Sequence, residues 1–379
     1  MVVIFVAKES EPGETRVAAV PETVKGLLKL GMSVQIERGA GSAAGFADAE
    51  FAAAGATLVD ASAVGAADIV LGVQAPPPER ARAQKAGSIL ICTLTPTQRL
   101  ASVRALRDAK VTAMGLEFMP RITRAQKMDV LSSQASCSGY QAVLLAALHL
   151  PKMFPLMMTA AGTLTPARVL VLGVGVAGLQ AISTARKLGA VVEANDIRPA
   201  CREQVESLGA KFVDTGTPPD AETKGGYARE VQADFLAKQR EILTQHIAQA
   251  DVLITTAMVP GKKAPVLVTA AMRQAMKPGS VVVDMAAGSG GNVEGTVAGQ
   301  RVVVEGVTMI GDTNLPAQKA ADASRMFARN ILAMFPEFVG KDGVVAIDLA
   351  QEIQTAVVIV HDGNVRHDPT AQALAAQGA

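Results

Sequence analysis

Residues 168–179 read RVLVLGVGVAGL, from Arg168 to Leu179. A short apolar run breaks into three glycines spaced G-x-G-x-x-G, at Gly173, Gly175 and Gly178, and then into a helical pattern of Leu179, Ile182, Ala185 and Leu188. Strand, glycine turn and helix in that order suit a nucleotide pyrophosphate. Gly173 allows the tight turn, Gly175 lets the phosphates approach the backbone, and Gly178 permits close packing of helix on strand. The helix start then offers N–H groups and a partial positive charge. The spacing alone is weak, because glycine punctuates many turns; the flanking strand and helix carry the reading.

A second feature lies about 20 residues further on, the offset of the acid that bonds the adenosine ribose hydroxyls. It is Asp196, closing the run VVEAND. A carboxylate there repels a 2′-phosphate, which predicts NAD(H) over NADP(H). Arg198 complicates the point, since a nearby arginine can accept that phosphate. The acid at the strand's end is expected to dominate.

Working outward, two sections of the chain alternate strand and helix. The first carries VVIFVA, SVQIE, TLVD, DIVLGV, SILICTL and VTAMGLEF, with an amphipathic helix over Pro21–Leu30. The second runs from RVLVLG through AVVEAND, AKFVDT, DVLITTA, SVVVDMA and VTMIGD. Short apolar strands separated by helices predict parallel sheets covered on both faces. The fold class is therefore α/β, with two Rossmann-like, doubly wound parallel-sheet domains and a nucleotide cleft between them. The stretch TAAGTLTPAR reads as Gly/Pro/Thr-rich punctuation. Beyond a helix over Ala320–Phe335, the remainder is too short for a domain and is expected to return to the first section. The expected boundaries are 1–136 plus 320–379 for the first domain and 137–319 for the NAD(H)-binding one.

Composition narrows the function. The 379 residues carry a net charge of +1, with no tryptophan and two tyrosines, so neither a basic field nor a base-stacking platform for nucleic acid is on offer. Cys92, Cys137 and Cys201 lie far apart and suggest neither disulfides nor a metal site, which fits a reduced, cytoplasmic setting. The N-terminus lacks the basic region and cleavage site of a signal peptide. The best membrane candidate, Tyr140–Thr159, contains His149, Lys152 and two prolines, and reads better as a core or interface helix.

Most nicotinamide enzymes move a proton as they move the hydride, and need an acid or base near the reacting carbon. The four histidines, His149, His246, His361 and His367, each read better as core or surface residues. A lysine or an acid could still serve. Two nicotinamide rings exchanging a hydride need no proton transfer, and catalysis then reduces to approach, orientation and exclusion of water.

At this point the chain resembles a known family. KESEPGETRVAAVP (Lys8–Pro21), the run Arg168–Arg198, SLGAKF, GGYARE and MKPGSVVVDMA are similar to the proton-translocating NAD(P) transhydrogenases, in their peripheral NAD(H)-binding component, nearly end to end. The first two motifs are shared with alanine dehydrogenases. Those enzymes hold the keto acid with a lysine and carry a histidine in the next strand. Gln74 in GVQAP and Thr95 in ICTLTP stand at these positions here, while Arg16 remains. Glutamine and threonine are poor replacements for orienting an oxo acid and shuttling a proton.

The resemblance implies the site residues. The segment RITRAQKMDVLSSQ would place Arg121, Ile122, Thr123, Arg124, Gln126, Asp129 and Ser132 around NAD(H). Arg121, Gln126 and Asp129 would act at the nicotinamide end, with Gln126 reaching towards the second nucleotide. Read without the resemblance, this is a polar start to an interdomain helix. Further implied contacts are Val174, Gly175 and Val176 at the phosphates, Ile197 and Arg198 beside Asp196, and Thr256 after the strand DVLIT. The long stretch Asp214–Val231 would be a mobile loop closing over the nucleotide, with Tyr227 at its tip and Gly226 near the adenosine; as sequence alone it reads equally as a surface excursion. AAGSGGN (Ala286–Asn292) fits a plain turn or a wall of the nicotinamide pocket. No metal is expected.

The implied protein is a homodimer on a membrane-embedded partner, cytoplasmic and peripherally attached to the inner membrane. Hydride would pass between its NAD(H) and the NADP(H) on a separate domain while the membrane part moves protons. Two other readings stand beside it, a soluble amino-acid dehydrogenase and a non-enzymatic NAD(H)-sensing module.

Overall fold

The computed structural model describes residues 1–216, 233–258, 263–340 and 344–378, with side chains for all of these except 233–238. The chain divides into two compact units, Met1–Gln134 with Pro316–Ala379, and Ala135–Leu315.

The first unit opens with six strands, β1 (Val3–Val6), β2 (Ser33–Glu37), β3 (Thr57–Val59), β4 (Ile69–Gln74), β5 (Ile89–Thr93) and β6 (Thr112–Gly115). They pair in parallel in the order β3-β2-β1-β4-β5-β6. The chain returns after the second unit with two antiparallel strands, Val358–His361 against β6 and Asn364–Val365 outside it. Alternate side chains feed opposite faces: Ile4 and Val6 of β1 enter one apolar cluster and Phe5 the other. Both faces are covered, so the strands are apolar throughout rather than alternating. Each fully buried aliphatic or aromatic side chain contributes roughly 1.5–3 kcal/mol.

The second unit opens with most of the helix Val130–His149, followed by a small hairpin of β7 (Met157–Thr159) and β8 (Gly162–Leu164). Its sheet comprises β9 (Arg168–Leu172), β10 (Val191–Asn195), β11 (Lys211–Phe212), β12 (Val252–Thr255), β13 (Val281–Asp284), β14 (Arg301–Val304) and β15 (Val307–Ile310). The order is β11-β10-β9-β12-β13-β15-β14, parallel apart from β14. Val169 and Val171 face one cluster, and Leu170 and Leu172 the other. Both sheets thus show the alternating α/β plan read from the sequence, and in both the strand order reverses between the first and fourth strands. That reversal leaves a crevice outside the carboxyl ends of the strands, the usual place for a ligand in such sheets.

Three local readings need correction. TAAGTLTPAR is not plain punctuation, because its first half forms the β7–β8 hairpin. The Tyr140–Thr159 stretch is not one helix: the helix Val130–His149 ends before Pro151, and the chain then turns through Phe154 into β7. β14 escaped notice because its link to β15 is only Glu305-Gly306. Both residues take positive φ, +52° and +80°, as a tight two-residue hairpin turn requires. Among the described residues no helix is long and apolar enough to cross a membrane.

Candidate dinucleotide site

The glycine turn leaves β9 at the crevice between β9 and β12. Gly173 takes φ +95°, open to glycine but strained for other residues. Gly178 lies in the first turn of the helix Val176–Lys187, where a Cβ would stand 2.0 Å from the Gly173 carbonyl oxygen. Gly175 differs: its φ of −82° suits any residue, and a Cβ there would meet nothing within 4 Å. The space beside Gly175 is open, as the approach of a pyrophosphate to the backbone would need. No side chain caps the following helix and no acid sits in its first turn, so its positive end is available to an anion. The turn therefore fits a dinucleotide.

Asp196 follows β10 with its side chain 6 % exposed. Its carboxylate accepts the Val174 N–H at 2.7 Å and the Arg198 N–H, Nε and Nη2 at 2.9, 2.9 and 2.8 Å. Burial works against the charge on Asp196, but the Arg198 guanidinium and these N–H groups outweigh it and hold the carboxyl below its usual range. The Thr256 hydroxyl, just past β12, donates to the Gly173 carbonyl at 2.9 Å. The structure thus gathers Gly173, Val174, Gly175, Val176, Gly178, Asp196, Ile197, Arg198 and Thr256 around one turn. Gly226 and Tyr227 lie outside the described residues.

Two supports of this site were not singled out from the sequence. Gly139, inside the helix Val130–His149, stands where a Cβ would come within 2.1 Å of the Ala177 carbonyl, so the two helices touch backbone to backbone. A glycine inside a helical pattern is the signal that could have found it. The buried Asp284 ends β13 and accepts the Thr255 hydroxyl and the backbone N–H groups of Ala286, Asn292 and Val293 at 2.8–3.1 Å. Asn292, fully buried, bonds both backbone groups of Ala257 and the Pro265 carbonyl. AAGSGGN is therefore a braced loop, tied to the chain just after Thr256.

The remaining expected residues belong to the first unit. A 3-10 turn, Thr123–Met128, buries Ala125 and Met128 and leaves Arg121, Thr123, Arg124 and Gln126 exposed, with Ile122 half-buried. Asp129 then accepts the Ser132 N–H at 2.9 Å and its hydroxyl at 2.6 Å, starting the helix Val130–His149. An apolar underside thus holds a polar surface outward.

At the crevice of the first unit the chemistry is different. Arg16 is buried and forks onto Glu14 through Nε and Nη2 at 2.8 and 2.6 Å, while its Nη1 donates to Gln134 at 2.8 Å. Gln74 donates to the same Glu14 carboxylate. Burial would raise Glu14, but Arg16 brings it down to about 2. The Glu9 carboxyl accepts the N–H groups of Val73 and Gln74 at the end of β4, and burial pushes it up to about 7. Thr95 has φ +42°, and its N–H is held by Glu117.

The four histidines have partners of their own. Nδ1 of His149 meets the Leu145 carbonyl, that of His246 meets Glu193, that of His361 meets Thr112, and that of His367 meets Thr370, all at 2.7–3.0 Å.

A strand, an open glycine turn, an uncapped helix and an acid at the end of the next strand are the features of a dinucleotide-binding protein. Family profiles described as alanine dehydrogenase/PNT match the chain in two pieces, the N-terminal domain over residues 5–138 and the C-terminal domain over 142–368. The chain is 47% identical to an NAD(P) transhydrogenase subunit alpha chain of Rhodospirillum rubrum, over 99% of this chain and 100% of that one. It is 30% identical to alanine dehydrogenase of Bacillus subtilis, over 77% of this chain and 72% of that one. Among solved structures it is similar to the transhydrogenase of Sinorhizobium meliloti, with TM-score 0.85, 42% identity and coverage of 96% and 99%. The chain belongs to the alanine dehydrogenase/PNT family, on its transhydrogenase alpha-subunit side.

Proposed function

We propose that this chain is the NAD(H)-binding component of a proton-translocating transhydrogenase. NAD(H) lies against the turn Gly173–Gly178 with its ribose at Asp196, and the hydride passes directly from NADH to oxidised NADP on a partner domain, or back in the reverse direction. Bound NADH supplies the hydride from its nicotinamide ring. The chain's own part is to bind the nucleotide, orient the ring through the segment carrying Arg121, Gln126 and Asp129, and keep water away. Proton movement belongs to a membrane-embedded partner, which the chain meets as a peripheral subunit.

The observation that carries this reading over an amino-acid dehydrogenase is the commitment of Arg16. Its guanidinium is engaged by Glu14 and Gln134, and the neighbouring Gln74 also serves Glu14. An oxo acid would have to displace an internal carboxylate to use this arginine, with no lysine at position 74 to help. Full-length identity of 47% to a transhydrogenase subunit supports the same side. The test is reconstitution with the NADP(H)-binding partner, following hydride exchange between NADH and an NADP analogue. Exchange is expected, together with no steady turnover of NADH with pyruvate and ammonia. Turnover in the second assay overturns the reading, and a folded, NADH-binding protein with no exchange favours the sensing module.

The homodimer belongs to the same proposal. The hairpin β7–β8 pairs with neither sheet, and Leu156, Met158 and Leu164 around it are 55%, 79% and 49% exposed. A two-stranded hairpin is marginal alone, and clustered exposed apolar side chains mark an interaction surface. A second copy of the chain is the occupant that the family likeness supports. Met158→Asp with Leu164→Asp is expected to shift the mass in light scattering from dimer to monomer while NADH binding stays within about twofold. A double variant that remains dimeric removes the hairpin from the interface.

A further inference from the structure

A continuous line of hydrogen bonds in the first unit runs from the buried Arg16 to the turn that carries Gln126. Arg16 Nη1 donates to Gln134 Oε1 at 2.8 Å. The Gln134 amide donates to the Ala323 carbonyl at 3.1 Å and to the Ser133 hydroxyl at 3.2 Å. That hydroxyl donates to Asn330 Oδ1 at 2.7 Å, and Asn330 Nδ2 donates to the Lys127 carbonyl at 2.8 Å. Lys127 is the residue after Gln126. Asn330 comes from the helix Ala320–Met334, 203 residues further along the chain than Lys127.

The line has a physical purpose that its members alone do not explain. The turn Thr123–Met128 is a single 3-10 stretch with no side-chain cap, and such short pieces hold poorly on their own hydrogen bonds. Ala125 and Met128 anchor it from below, but an apolar contact sets depth better than it sets rotation. A directional bond to the Lys127 carbonyl fixes the peptide plane beside Gln126. Arg16 steadies the other end, because its planar fork is held on Glu14 and leaves Nη1 aimed at Gln134.

We propose that Asn330 and Arg16 are positioning residues for hydride exchange, acting through the turn that presents Gln126. The inference rests on the reading that this segment handles the nicotinamide end. Neither residue needs to touch a nucleotide. A misplacement of about 1 Å at a reacting ring is enough to cost about a hundredfold in rate, so a small rotation of this turn is felt in kcat before it is felt in binding.

The test uses the full chain in complex with its NADP(H)-binding partner. Asn330→Ala is expected to slow hydride exchange at least tenfold, with the Kd for NADH within twofold of wild type. Arg16→Lys, which keeps the charge beside Glu14 but loses the fork, is expected to move in the same direction by a smaller factor. Gln126→Ala combined with Asn330→Ala is expected to be no slower than the slower single variant, because both act on one contact. A merely structural role would instead lower thermal stability and add to the Gln126 effect. Should Asn330→Ala not fold by circular dichroism, Gln134→Ala interrupts the line at its Arg16 end and carries the expectation given for Arg16→Lys. Exchange in wild type with unaffected variants, or a fully additive double variant, overturns the positioning role alone. No exchange in the wild-type complex overturns it together with the function on which it rests.

Discussion

Replacing Gly178 with alanine is expected to damage the fold of the second unit and NADH binding together, whereas Gly175→Ala is expected to damage binding alone. The two glycines share one motif but meet different surroundings. A Cβ at Gly178 would stand 2.0 Å from the Gly173 carbonyl oxygen and 3.0 Å from its carbon. Neither atom can withdraw easily, because that oxygen also accepts the Thr256 hydroxyl and the start of the helix is pressed by Gly139 from the other side. Overpacking of this kind costs about 1–3 kcal/mol or more, and each kcal/mol lowers Tm by roughly 2–4 °C in a domain of this size. A fall of several degrees and at least tenfold weaker NADH binding should follow for Gly178→Ala. At Gly175 the backbone suits alanine and the added methyl meets nothing, so Tm should stay within about a degree. That methyl occupies the space proposed for the phosphates. Fluorescence titration with NADH alongside thermal unfolding separates the two. Wild-type affinity in Gly175→Ala would remove the pyrophosphate from this cradle.

The second large effect concerns Asp196 and Arg198. The four N–H groups on the Asp196 carboxylate fill about all of its acceptor sites. Ribose hydroxyls can reach it only by displacing the Arg198 side chain. Asp196→Ala should therefore weaken NADH by the worth of hydrogen bonds to a charged group, about 1.5–3 kcal/mol, or roughly ten- to a hundredfold. It also releases a guanidinium, so NADPH should lose less than NADH and the preference should narrow. Arg198→Ala should do the reverse, leaving an uncovered carboxylate that rejects a 2′-phosphate at least tenfold more strongly. Parallel titrations with NADH and NADPH decide the matter. An Asp196→Ala protein with undiminished preference for NADH would place the ribose elsewhere.

The parts of this site that were legible in sequence are those made by neighbours along the chain. Gly173, Gly175 and Gly178 are contiguous with their strand and helix, and Asp196 follows at a distance set by one helix and one strand. The α/β plan was legible for the same reason, since short apolar runs repeat between helical ones. What escaped depends on partners far apart. Asn292 braces Ala257 across 35 residues, and Asn330 holds Lys127 across 203. An asparagine in a loop or on a helix looks ordinary until the fold brings its partner close. The β7–β8 hairpin escaped differently: strands of three residues, Met157–Thr159 and Gly162–Leu164, are too short to show a period.

The Glu9 carboxyl gives the repeated strand order a consequence. In the first unit, the backbone donors at the end of β4 face the counterpart of the crevice where the second unit offers its glycine turn, yet Val73 and Gln74 already give their N–H groups to that side chain. A phosphate arriving there would have to evict a tethered acid whose local concentration no free metabolite can match. Two like frameworks in one polypeptide are therefore expected to give one dinucleotide per chain in a binding titration, because Glu9 already occupies the donors of the first.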